Sequence, residues 1–169
     1  GRKARTVCPI IGVRPRPPLD ALYVPIGLGS GICGCILARD LLGLPIEVIG
    51  VQSTEAPAYA LSVAMGRVVT TPSANTLADG MATRIPDPDA LAIIRDGAAR
   101  IVTVDDALVA EAIRAYWQDT HNLAEGAGAA PLAALMTERD AMAGRRVGLV
   151  LCGGNIDLAL FRRWVLADA

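Results

Sequence analysis

Two glycine-rich runs hold the residues best suited to chemistry: Gly27-Leu28-Gly29-Ser30-Gly31, and Cys152-Gly153-Gly154-Asn155. Glycines let a backbone approach an anion closely, and the first amides of a following helix aim their hydrogens at it, so such a loop can hold a phosphate. The first run lacks the lysine of a P-loop and the full GxGxxG spacing, and glycines at a strand–helix junction also serve tight packing. If both runs follow strands of one parallel sheet, they open at the same C-terminal edge, where open α/β sheets bind ligands. Glu125, at the head of EGAGAA (125–130), is a carboxylate at a helix start, where capping the amides is the expected role and facing a ligand the alternative. Ala78-Asp79-Gly80 reads as a turn, and His121 as a helix-end side chain rather than a base. Cys8, Cys33, Cys35 and Cys152 have neither CxxC spacing nor a set of histidines beside them. They read as reduced thiols, the first three as small buried fillers, and no metal site is expected.

The elements that must position these loops alternate. ALYVPI (21–26) reads as a buried strand, the apolar spacing from Ile32 to Leu42 as a helix, EVIGV (47–51) as a second strand and Ala58 to Met65 as a second helix. Residues 67–86 read mostly as loop. Asp87-Pro88 supplies an N-cap and a first-turn proline for a helix through Arg95, and ARIVTV (99–104) follows as a strand. Asp105 or Asp106 caps a helix to about Asp119, residues 126–142 form an alanine-rich helix, RVGLVL (146–151) a fourth strand, and a final helix runs from Ile156. The expected fold class is α/β, an open and mostly parallel sheet with flanking helices.

Composition agrees with that class. Hydrophobic residues make up 53% of the chain and aromatics only 4%, suiting close helix-on-sheet packing. The mean hydropathy of +0.42 is high, yet no stretch approaches the ~18 apolar residues of a bilayer span; the excess reads as surface for a partner segment. Arg2, Lys3, Arg5, Arg14 and Arg16 give residues 1–18 five positive charges and no acid, within a net charge of −1 for the chain. This Pro-broken segment, without interleaved aromatics, reads as a solvated tail. No nucleic-acid or membrane partner is expected, no secretory signal is read, and the expected location is cytoplasmic.

In order along the chain, VPIGLGSGICG (24–34), GVQSTEAPAY (50–59), NTLADGMA (75–82), AEGAGAA (124–130) and VLCGGNID (150–157) resemble the signature loops of the threonine/serine dehydratase family. The resemblance runs from about Leu19 to the end, and corresponds to the C-terminal half of a family enzyme. It implies the fold type II architecture of pyridoxal-phosphate enzymes, related to tryptophan synthase β, with residues 19–169 as the C-terminal half of the catalytic domain and residues 1–18 outside the match. The implied reaction is conversion of L-threonine to 2-oxobutanoate and ammonia.

Carried over by position, the resemblance implies that Gly27, Leu28, Gly29, Ser30 and Gly31 line the phosphate of pyridoxal phosphate. It implies that Gly80 borders the pocket, that Glu125 lies near ring and substrate, that Cys152 faces the pyridine nitrogen, and that Gly153, Gly154 and Asn155 shape the same wall. Gln52 stands where metal-binding members carry a glutamate. The Schiff-base lysine of the family belongs to its N-terminal half; the one lysine here, Lys3, is not expected to replace it, so no catalytic residue is assigned and the isolated chain is expected to have little or no activity. The implied partner is a small amino-acid substrate, and an open sheet edge predicts a homo-oligomer. Two rival readings are a non-catalytic, phosphate-binding or self-associating remnant, and a nucleotide-binding domain with Glu47 as its ribose acid, the latter disfavoured because Glu47 opens a strand instead of closing one.

Overall fold

Apolar runs too short for helices and bounded by glycine, proline or a capping aspartate become strands, and the computed structural model, which describes residues 19–166, assembles four of them. These are β1 (Ala21–Pro25), β2 (Glu47–Ser53), β3 (Arg100–Val104) and β4 (Val147–Leu149). All pair parallel, in the order β3-β2-β1-β4, with Ala21 opposite both Glu47 and Val147 and Ile49 opposite Arg100. Their C-terminal ends therefore share one edge. The fold class is the open parallel sheet expected from the sequence; the basic segment, Lys3 and Cys8 lie outside the described residues.

The helices are α1 (Ser30–Leu41), α2 (Ala58–Met65), α3 (Pro88–Gly97), α4 (Asp106–Ala115), α5 (Gly126–Thr137) and the short α6 (Leu158–Phe161). On one face Leu22, Val24 and Ile26 pack with Ile32 and Ile36 of α1, Tyr59 of α2, and Leu91 and Ile94 of α3. On the other, Tyr23, Ile49 and Val51 pack with Val109 and Ile113 of α4, the alanines of α5 and Trp164. Strand residues thus alternate between two cores. Cys33 and Cys35 are buried fillers of the first core, while Cys152 is exposed.

Side chains set the helix boundaries. Asp87 accepts from the Ala90 amide and Asp105 from the Leu108 amide, so both helices start on aspartate. The final helix starts at Leu158 rather than Ile156 because the Asp157 carboxylate accepts from the Ala159 and Leu160 amides. The alanine-rich helix stops at Thr137, five residues short of expectation, because the next residue, Glu138, turns back under the sheet.

There Glu138 accepts two bonds from Arg100, of 2.9 and 2.7 Å, and a 2.5 Å bond from the buried Tyr23 hydroxyl. Arg100 and Arg145 also reach Glu47, at 3.7 and 3.1 Å. This network ties β1, β2, β3 and the end of α5 at the edge opposite the glycine loops. Arg100 holds the Glu138 carboxyl below its ordinary value, whereas burial and the adjacent carboxylate push Tyr23 up to about 12.

The fold thus favours the protonated phenol, and the unfolded chain ionises it first. The stabilisation is complete below the ordinary tyrosine value of 10.0 and lost as pH rises toward about 12. Denaturant midpoints across that window are expected to fall, and Tyr23→Phe to remove part of the fall while lowering stability at pH 7 by about 1–2 kcal/mol.

Candidate functional site

After β1 the chain leaves to the face carrying α1, and after β4 it leaves to the face carrying α6. Between two adjacent parallel strands whose connections part in this way a crevice opens at the C-terminal edge. A cavity of about 350 Å³ occupies it, lined by Val24, Pro25, Gly27 to Gly31, Gly80, Ala127, Val150 and Cys152.

Backbone crowding shapes this cavity. A Cβ on Gly27 would stand 2.4 Å from the Gly80 carbonyl oxygen, and one on Gly80 would stand 2.9 Å from the Ala127 Cβ. Gly80 belongs to a single 3-10 turn over Asp79–Met81. The turn is anchored through Thr76 and Leu77, whose hydroxyl and amide donate to Asp106 at 2.6 and 2.8 Å. Asp106 therefore braces this loop, while Asp105 performs the capping. On the far wall the Glu125 amide donates to the Gly153 carbonyl at 3.0 Å, and a Cβ on Gly128 would lie 2.5 Å from that same oxygen.

The glycine loop meets α1 with Gly29 at a left-handed φ of 98°, and no side chain caps the helix. The first intrahelical bond runs from Cys33 to the Gly29 carbonyl, which leaves the amides of Ser30, Gly31 and Ile32 ahead of the ladder. Among the described residues a Cβ on Gly31, which lines the cavity, would meet nothing within 4 Å. The fully buried Tyr59 braces the loop, its hydroxyl donating to the Leu28 carbonyl at 2.7 Å.

Of the residues singled out from the sequence, Gly27, Leu28, Gly29, Ser30, Gly31, Gly80 and Cys152 share this one cavity. Glu125 is beside it, and the expected capping role is not found: its side chain caps nothing, and Oε1 instead lies 2.4 Å from where a Gly153 Cβ would be. Gly154 backs onto the Leu123 carbonyl, and Asn155 is exposed outside the lining. Although Cys152 is exposed as a residue, partial burial of its thiol and then the Glu125 carboxylate raise its pKa, which keeps Sγ protonated and neutral at pH 7. Glu47, the acid of the nucleotide reading, lies at the opposite edge with Arg145.

Gln52 is buried and works within the fold, its Oε1 accepting from the Ala60 amide in the first turn of α2, while Nε2 has no partner among the described residues. His121 ends a helical stretch with φ 55° and its ring against the Trp117 carbonyl. Among the described residues no three potential metal ligands converge, and no helix is long and apolar enough to cross a membrane. A second cavity, of about 470 Å³, lies between α4 and Trp164, but Asp106 is spent on Thr76 and Leu77, and Arg114 donates to the Trp164 carbonyl. Sequence reasoning missed Val24, Pro25, Ala127 and Val150 as lining, and Tyr59 as a brace. All five stand within the signature runs; the four lining residues carry no chemical signal of their own, and the run around Tyr59 does not show what its hydroxyl bonds.

The family model for "Pyridoxal-phosphate dependent enzyme" matches residues 6–153. An L-threonine ammonia-lyase of Geobacter sulfurreducens is 39% identical over 142 residues, covering 84% of this chain and 35% of that protein. A serine racemase of Oryza sativa subsp. indica is 30% identical, covering 85% of this chain and 44% of the relative. The crystal structure of a threonine deaminase from T.th. superposes with a TM-score of 0.77 at 30% identity, over 83% of this chain and 51% of that one. The chain thus spans less than half the length of these two curated relatives.

The glycine geometry separates two substitutions that look alike. Gly27→Ala drives a methyl into the backbone of the 3-10 turn and is expected to cost about 1–3 kcal/mol. Gly31→Ala meets no atom and lies in a helix, so it is expected to be neutral or to stabilise by up to about 1 kcal/mol. Thermal unfolding of the two variants checks both signs.

Proposed function

We propose, on the premise that this chain belongs to the pyridoxal-phosphate dependent enzyme family, that it forms the phosphate-holding and ring-facing part of a threonine/serine dehydratase. The reaction proposed for the whole enzyme is conversion of L-threonine to 2-oxobutanoate and ammonia. The observation that carries the reading is one cavity, at the ends of adjacent parallel strands, lined by the whole Gly27–Gly31 loop at an uncapped helix start and by Cys152, a neutral thiol, from the second loop.

Those residues fit the cofactor. The open space over Gly31 is where a Cβ would displace a phosphate, and the N-terminal dipole of α1 favours the dianion. When bound, pyridoxal phosphate supplies the electron sink that makes the substrate Cα proton removable. In this reading the amides of Ser30, Gly31 and Ile32 bind the phosphate, and Gly80 and Ala127 close the pocket against water. Cys152 Sγ offers the ring nitrogen a neutral hydrogen-bonding partner, which tempers electron withdrawal and favours β-elimination over transamination. Glu125, whose carboxylate faces Gly153, borders the substrate side. The one lysine of the sequence, Lys3, lies outside the described residues, and none of the described residues is assigned as covalent anchor or Cα base. The partner of the complete site is a small β-hydroxy amino acid. Threonine is preferred to serine on the strength of the ammonia-lyase and deaminase relatives.

The test is titration of the chain with pyridoxal phosphate and with pyridoxal, followed by absorption before and after borohydride and by mass mapping. The expected result is saturable binding of the phosphorylated form, weakened at least tenfold, about 1.4 kcal/mol, by Gly31→Ala, with no borohydride-fixed adduct on Lys3. Equal affinity for both forms would remove the phosphate reading, and a stoichiometric fixed adduct on Lys3 would overturn the assignment that this chain holds no covalent anchor.

A further inference from the structure

We infer that the Tyr59 hydroxyl is a positioning group: it sets the direction of the Leu28–Gly29 peptide and thereby turns the Gly29 N–H toward the anion site. This rests on the phosphate reading of the loop. Tyr59 is fully buried, and its hydroxyl makes two bonds, donating to the Leu28 carbonyl at 2.7 Å and accepting from the Asp87 amide at 3.1 Å. The amide of Asp87, the N-cap residue of α3, occupies the oxygen and leaves the single hydroxyl proton for Leu28.

In a trans peptide the carbonyl and the next N–H point in opposite directions. With the Leu28 oxygen drawn inward to Tyr59, the Gly29 hydrogen faces away from the core, on the side where Gly29 lines the cavity. The inward side is closed, because a Cβ on Gly29 would stand 2.8 Å from the Ala90 Cβ and 3.0 Å from the Tyr59 oxygen. Glycine populates both signs of φ, and Gly29 sits at 98°, so sterics at Gly29 do little to oppose a flip of this peptide. A flipped peptide would present the Leu28 oxygen, a partial negative charge, to a phosphate. The hydroxyl holds the loop in its anion-accepting orientation before any ligand arrives.

The test uses the isotope-labelled full chain, titrated with inorganic phosphate, pyridoxal phosphate and pyridoxal and followed by amide NMR. Tyr59→Phe is expected to weaken inorganic phosphate and pyridoxal phosphate about tenfold, the scale of one charge-assisted hydrogen bond, and to leave pyridoxal unchanged. Ser62→Ala is the structural control. It removes a buried hydroxyl from the same helix that bonds Ala58 and Val69 and not the loop, so it should lower the melting temperature without changing phosphate affinity. Wild-type affinity retained in Tyr59→Phe, or equal losses for pyridoxal and its phosphate, overturns the inference alone. A wild-type chain that responds to neither phosphate ligand overturns the phosphate reading and this inference with it. The wild-type spectrum also decides without any variant, since a Gly29 amide that stays unmoved while Ser30 and Gly31 shift on phosphate addition shows that it does not face the anion.

Discussion

Backbone must approach backbone at this sheet edge more closely than any Cβ permits, and the rest of the cavity follows from that. The Gly80 carbonyl lies against Gly27, and the Gly153 carbonyl against Gly128, each within 2.5 Å of where a methyl would be. Side chains at these positions would hold the loops apart and leave a trough too wide to desolvate a small ligand. With glycines there, loops from β1, the 79–81 turn, the start of α5 and β4 close on one another, and the surface offered to a ligand is largely amide and carbonyl. A site built this way tolerates exchange of outward side chains such as Leu28, which is 72% exposed, because the contacting atoms belong to no particular residue type.

The two edges of the sheet divide the work. At the N-terminal edge, charged side chains stitch strands together through Arg100, Glu138, Glu47 and Arg145. At the C-terminal edge the described residues of the cavity lining include no ionised side chain, and their polar character comes from helix amides, Ser30 and the protonated Cys152. This separation suits an anion site, since a carboxylate within the lining would oppose a phosphate and an arginine would compete with the directional amides. Glu125 stands at the side, its carboxylate against Gly153.

Most of the framework was legible because it rests on local signals. Apolar runs with β-branched residues marked all four strands, and Asp87-Pro88 announced its helix through a cap that the structure shows accepting from Ala90. The two glycine loops were read as lying at one strand edge, and the first loop does share a cavity with Cys152 of the second, while Gly153, Gly154 and Asn155 are not among its lining. What was not legible depends on contacts between residues far apart in the chain. Glu138 ends α5 because Arg100 and Tyr23 claim its carboxylate, which no helical periodicity encodes. The Glu125 side chain was expected at a cap and is found over Gly153, because the Gly153 carbonyl already engages the Glu125 amide. No role was legible for Tyr59; its hydroxyl reaches a carbonyl 31 residues away, a contact visible only in three dimensions.

The strand that leads into the Cys152 loop is also the shortest of the four described. β4 registers with β1 over Ala21–Tyr23, whereas β2 registers with it over Ala21–Pro25, and β4 pairs with no other described strand. The cavity therefore straddles the weakest seam of the sheet, where a local opening costs least. A ligand held at one end by the α1 amides and at the other by the Cys152 loop spans that seam and acts as a rivet. By mass action its binding free energy is added to the cohesion of the two halves it joins, rising with the logarithm of its concentration. In such an arrangement the occupant is a structural member of the protein as much as its reagent, and the chain's resistance to opening becomes a measure of how much of it is available.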